Sequence, residues 1–148
     1  MNNEIAKKIG SSLALKAVTV GVIMAYLIMG LVSSGNETNF FEAMFWISKI
    51  DSGVISSCVV SVAVFYACGY YFGGMAGVAI LVKQYSHFWV GPCWGLFTLL
   101  ATVFIGNLAT FGQGAVLLFY VLIVGIFPAI LVGFWLGSRI KSNVKTDT

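Results

Sequence analysis

Four long apolar runs, separated by short polar breaks, set the pattern of the chain. The first covers residues 13–32 and carries one charge, Lys16, close to its start. The second covers 54–82, between Asp51 and Lys83, and the third 88–105 or a turn more. The fourth covers 115–137 and stops at Ser138 and Arg139. A helix rises ~1.5 Å per residue, so about 20 apolar residues cross the ~30 Å hydrocarbon layer of a bilayer. The pattern predicts an all-α polytopic membrane protein, a four-transmembrane-helix bundle in which residues 1–148 form a single integral membrane domain.

Two places depart from a plain four-span pattern. The second run has 29 residues, ~43 Å as a helix, so it must tilt, protrude or break. If it breaks, the pair Gly73-Gly74 is the natural place. In the outer loop, 33–53, Asn39 and Glu42 are spaced as a capping box ahead of Phe40, Phe41, Met44, Phe45 and Trp46. This predicts a short interfacial helix over 40–50.

Composition confirms the class. Only 9% of the 148 residues are charged, 59% are hydrophobic and the mean hydropathy is +0.98. A water-soluble surface needs about 25% charged residues, so a soluble globule is excluded. The net charge of +3 does not indicate a nucleic-acid partner, because the basic residues flank the spans and form no continuous patch. Lys7, Lys8, Lys16, Lys83, Arg139, Lys141 and Lys145 lie at the termini or in the 83–87 turn, whereas the outer loop holds Lys49 with Glu37, Glu42 and Asp51. The positive-inside rule therefore predicts cytoplasmic termini, and a bacterial inner membrane is the expected setting by general analogy alone. Trp89, Trp94 and Trp135 are expected at the inner interface, with Trp46 and Tyr120 at the outer one.

Lys7-Lys8 before an apolar stretch has the layout of a signal peptide, with Val32 and Ser34 as small residues before a cleavage site. The stretch is longer than the usual apolar region of about 7–15 residues, which favours a retained span. Both halves of the chain repeat one plan, out and back toward a basic residue, as a parallel duplication would.

Small residues at spacing four are the strongest motif. They are Ala17, Gly21 and Ala25 in the first span, Gly69, Gly73 and Gly77 in the second, and Gly125, Ala129, Gly133 and Gly137 in the fourth. The third has Gly91 and Gly95, then Thr98, Thr102, Gly106 and Thr110. Residues four apart share a helix face, and in lipid such faces associate by close backbone approach. These grooves serve packing within the chain or contact with another copy or another protein. Thr98, Thr102 and Asn107 form a polar line along the third span, the sharper alternative being a path for ions or small solutes. Lys16, one turn inside the first span, is expected to extend its amine to the headgroups. Pro92 is placed in the first turn of the third span. Pro128, inside the fourth, is expected to bend it and to act as a hinge beside Gly125.

Catalytic chemistry is missing from the sequence. One histidine, His87, and three cysteines, Cys58, Cys68 and Cys93, make neither a nucleophilic triad nor a metal site. The cysteines read as small packing residues. No cofactor is expected. The sequence therefore points to a non-enzymatic inner-membrane subunit that contacts membrane lipids, self-associates as a homo-oligomer, or anchors a cytoplasmic protein partner. Envelope sensing and phage-defence anchoring are settings, by analogy alone, that suit such a bundle. The alternative is a small oligomeric channel or transporter.

Overall fold

The computed structural model of the chain describes residues 2–33, 52–109 and 115–143. Its elements are four helices, α1 (Asn3–Ser33), α2 (Ser52–Leu81), α3 (His87–Ala109) and α4 (Ala115–Asn143). Each contains a stretch long and apolar enough to cross a membrane. The protein is thus a multi-pass, all-helical membrane protein. The segment expected as an interfacial helix, 40–50, lies outside the described residues, as do Trp46 and Thr110.

Neighbouring helices run antiparallel. Ala6, Ala14 and Val18 of α1 meet Gly77, Gly73 and Gly69 of α2 in that descending order. His87, Gly91, Gly95 and Leu99 of α3 meet Gly137, Gly133, Ala129 and Gly125 of α4 in the same manner. Thr98 and Trp94 of α3 approach Gly69 and Gly73, which makes α2 and α3 antiparallel as well. The start of α1, the turn after α2 and the end of α4 therefore share one end of the molecule, the end that holds Lys7, Lys83 and Arg139. The closest pairings are α1 with α2 and α3 with α4; α2–α3 and α1–α4 contacts complete the ring. Its core includes Ala14, Val18, Ile80, Trp94, Val132, Leu136 and Ile140.

The helix boundaries correct the sequence reading, or decide what it left open, in four places. First, α1 begins at Asn3, ten residues before the expected span. The Asn2 side-chain oxygen accepts from the Glu4 N–H at 3.3 Å, and the Asn2 carbonyl from the Ala6 N–H at 3.1 Å. Glu4 also suits the positive end of the helix dipole. Lys7 and Lys8 hide this start from a hydropathy count, yet Ala6, Gly10 and Ala14 between and beyond them are buried in the bundle.

Second, α2 is one helix of 30 residues with no break at Gly73-Gly74. Glycine permits a break but does not impose one, and here α1 packs directly on both residues. Third, α4 continues through Pro128 and passes Gly137 to reach Asn143. Fourth, Pro92 falls beyond the first turn of α3. The Ser86 carbonyl accepts from the Val90 N–H at 3.1 Å, so it is this residue that caps the helix. Pro92 then leaves the Phe88 carbonyl without its usual helical donor.

The α2–α3 turn is closed by backbone bonds. The Val78 carbonyl accepts from the N–H groups of Val82 at 3.0 Å and Lys83 at 3.1 Å, and the Ala79 carbonyl accepts from Tyr85 at 3.0 Å. Gln84 turns the chain with φ of 56°, a left-handed conformation.

Candidate functional site

Two seams of small residues hold the bundle. In the α1–α2 seam, Gly10 lies against the Gly73 carbonyl and the backbone of Gly77, while Gly77 lies against the Ala6 carbonyl. A Cβ on Gly10 would stand 2.8 Å from the Gly77 Cα, tighter than real side chains allow. In the α3–α4 seam, Gly91 meets the Gly133 carbonyl, Gly95 the Ala129 carbonyl and Gly137 the His87 carbonyl. Carbonyls facing glycine Cα atoms are the geometry of weak Cα–H···O contacts. Where the second seam widens, Leu99 fills the hollow at Gly125, with its Cδ1 at 3.0 Å from where a Cβ would sit.

The sequence-derived series Gly69, Gly73, Gly77 and Gly125, Ala129, Gly133, Gly137 thus all sit at contacts within this chain. The partner half of the first seam, Ala6-Gly10-Ala14, has the same spacing of four and was legible in the sequence. The charges beside it concealed it. Gly21, by contrast, has only Val132 near it, at 3.9 Å.

Hydroxyls reinforce the first seam. Ser11, buried, donates to the Tyr70 carbonyl at 2.9 Å across the helices. Thr19 donates to the Leu15 carbonyl of its own helix at 3.0 Å. Its oxygen is 2.8 Å from the Tyr66 hydroxyl, which must therefore be the donor of that pair.

Two residues of the polar line on α3, Thr98 and Thr102, are packed into the interior. Thr98 is 1% exposed and Thr102 is buried. Thr102 donates to the Thr98 carbonyl at 2.7 Å, whereas the Thr98 hydroxyl and the Trp94 indole N–H have no hydrogen-bond partner. Asn107 lies within α3, two residues before its end. Trp94 is not at the interface but in the core, because Gly73 leaves room for its ring, with the indole nitrogen 3.5 Å from the position a Cβ would take. Trp89, 71% exposed, and Trp135 remain outside, and the Arg139 guanidinium lies 5.9 Å from the Trp135 ring centre. Pro128, the expected hinge, is fully buried, and the residue after it, Ala129, meets Gly95 in the α3–α4 seam.

Lys16 is the residue whose position changes most. Val18 and Thr98 both touch Gly69, and Thr98 is the middle residue of α3. Lys16 precedes Val18 by two residues, ~3 Å along the axis, so it stands near mid-length of the bundle. It is exposed, and it continues a row of exposed polar residues at spacing four, Glu4, Lys8, Ser12 and Lys16. That row points away from Ala6, Gly10, Ala14 and Ala17, which face the bundle.

Of the cysteines, Cys68 is buried as a packing residue, but Cys93 is exposed on α3, and both are free thiols. The described residues contain no group of three or more His, Cys, Asp or Glu side chains able to hold a metal ion. The chain matches no protein-family model, no curated protein and no solved structure.

Proposed function

We propose that this protein is a non-enzymatic membrane subunit that holds a helix of another membrane protein against the outward face of α1. The observation that carries this reading is Lys16, an exposed ammonium near the middle of α1 on a helix face turned away from its own bundle. A lysine at the centre of a span costs about 2.5–3.5 kcal/mol on insertion scales, and such residues mark sites of function by default. The lysine stem leans toward the start of α1, which lessens this cost without removing it.

The chemistry opposite Lys16 would be a carboxylate or a cluster of carbonyls. Along the described helices a second copy would offer one carboxylate, Glu4, at the far start of α1. Self-association through the glycine series is disfavoured for a separate reason. Those faces are already filled by α1 and α3, and a second copy could reach them only by parting the hairpins.

The test is a photoreactive side chain placed at Ser12 in native membranes. A discrete protein adduct that disappears in Lys16→Leu supports the reading, and an adduct of two copies would shift it to self-association. Irradiation that yields monomer alone would reject both.

The second reading, a small channel or carrier formed by an oligomer, draws on the unpartnered Trp94 N–H and Thr98 O–H at the bundle centre. Thr102, bonded to its own helix, contributes no free donor to such a path. Liposomes containing the protein separate the readings. Conductance altered by Thr98→Val supports the channel, and an impermeable vesicle supports the subunit.

A further inference from the structure

We propose that the groove between α2 and α3 is a binding site for one anionic phospholipid of the leaflet at the basic end. This rests on observations independent of α1's outward face. The groove is open on its outer side and encloses about 540 Å³, within the ~300–1,000 Å³ of small-molecule pockets. Its walls are apolar, with Phe72 and Met75 from α2 and Cys93 and Phe97 from α3. Phe72 and Lys83 both line it and are separated by roughly 16 Å along the helix axis, so the groove is long and narrow and parallel to the helices. That is the shape of an acyl chain lying upright in a leaflet.

The charged end is what selects the headgroup. Lys7 and Lys83 are the charged residues that line the groove, and both are exposed. Lys7 reaches it across Gly74, where its Cγ lies 2.8 Å from the position a Cβ would occupy. Any larger residue at 74 would displace the lysine stem. Helical side chains lean toward the helix start, so Lys7 leans toward the end where Lys83 stands. Lys83 itself is held by its N–H bond to the Val78 carbonyl. Trp89, highly exposed and lining the same groove, occupies the level at which indoles anchor to headgroups. Among the described residues no acidic side chain lines the groove to oppose a phosphate. A phospholipid with net negative charge satisfies both ends, with its chain between the aromatic walls and its phosphate between the lysines.

Two lysines near a membrane surface each contribute about 1 kcal/mol toward an anionic headgroup, which bounds the preference over a zwitterionic lipid at about 30-fold. The experiment uses Cys93 as the reporter, in the full chain with Cys58→Ser and Cys68→Ala. The protein is reconstituted in phosphatidylcholine vesicles with and without phosphatidylglycerol of the same chains, and alkylation by an uncharged maleimide is timed. Phosphatidylglycerol should slow alkylation at least about threefold, and Lys7→Gln with Lys83→Gln should abolish the slowing. Native mass spectrometry from a mixture of the two lipids should show a phosphatidylglycerol adduct that the double variant loses. Equal rates in the two vesicles, slowing that persists in the double variant, or adducts without headgroup preference would each overturn the site. A folded double variant is verified by an unchanged thermal transition.

Discussion

Gly95 of α3 lies directly against the main-chain carbonyl of Ala129 in α4, with no room for a side-chain atom between them. The contact is backbone to backbone, so neither side can yield by changing a rotamer. Gly91 with Gly133, and Gly10 with Gly73, repeat it elsewhere in the molecule.

Gly95→Ala should therefore separate α3 from α4. Overpacking costs about 1–3 kcal/mol, and the rigid neighbour puts this case at the upper end. Gly21→Ala is the matched control, because its nearest neighbour is the Val132 methyl at 3.9 Å, an ordinary contact. That variant should be neutral or more stable by about 0.5–1 kcal/mol, as alanine is the better helix former. Thermal unfolding of both in the same detergent measures the difference.

At the α2–α3 turn, Gln84 has φ of 56°. The left-handed region costs a residue with a Cβ about 1–2 kcal/mol. Gln84→Gly should raise stability by about 1 kcal/mol, and Gln84→Val should lower it, since a branched side chain fits this conformation worst. A shift in melting temperature of the opposite sign for either variant would contradict the turn geometry.

Thr98 carries a buried hydroxyl that makes no hydrogen bond. Replacing it by valine keeps the shape and removes a desolvated polar group, so Thr98→Val should be neutral or stabilising by about 1 kcal/mol. Denaturant or thermal titration detects this, and a marked loss of stability would show that the hydroxyl has a partner in the membrane.

Across the first seam, the Tyr66 hydroxyl donates to Thr19. Interhelical bonds of this kind average about 0.6 kcal/mol in membranes, so Tyr66→Phe should cost about that amount. In a double-mutant cycle with Thr19→Val, the coupling energy should account for most of the loss. Strictly additive effects would place the two groups apart.

The apolar runs alone determined that this is a multi-pass membrane protein and marked the four spanning helices of the described residues, because the length needed to cross a bilayer is counted along the chain. Sequence also marked most of the glycines that the seams use, since spacing four places residues on one face whatever the partner. It misplaced the start of α1 and the position of Trp94, and it left open whether α2 is continuous or broken. Charge at Lys7 and Lys8 lowers hydropathy without preventing a helix, and glycine allows a bend that neighbouring helices can suppress. Tertiary structure decided which small faces meet, and at what axial register. With small residues on every helix, many pairings are close in energy, and only the joint fit of carbonyl, glycine and bulky side chain selects one. That register carried Lys16 from the edge of a span to the middle of the bundle, and it set Lys7 and Lys83 at the rim of a single groove. Position along one helix says nothing of depth until a second helix fixes the level.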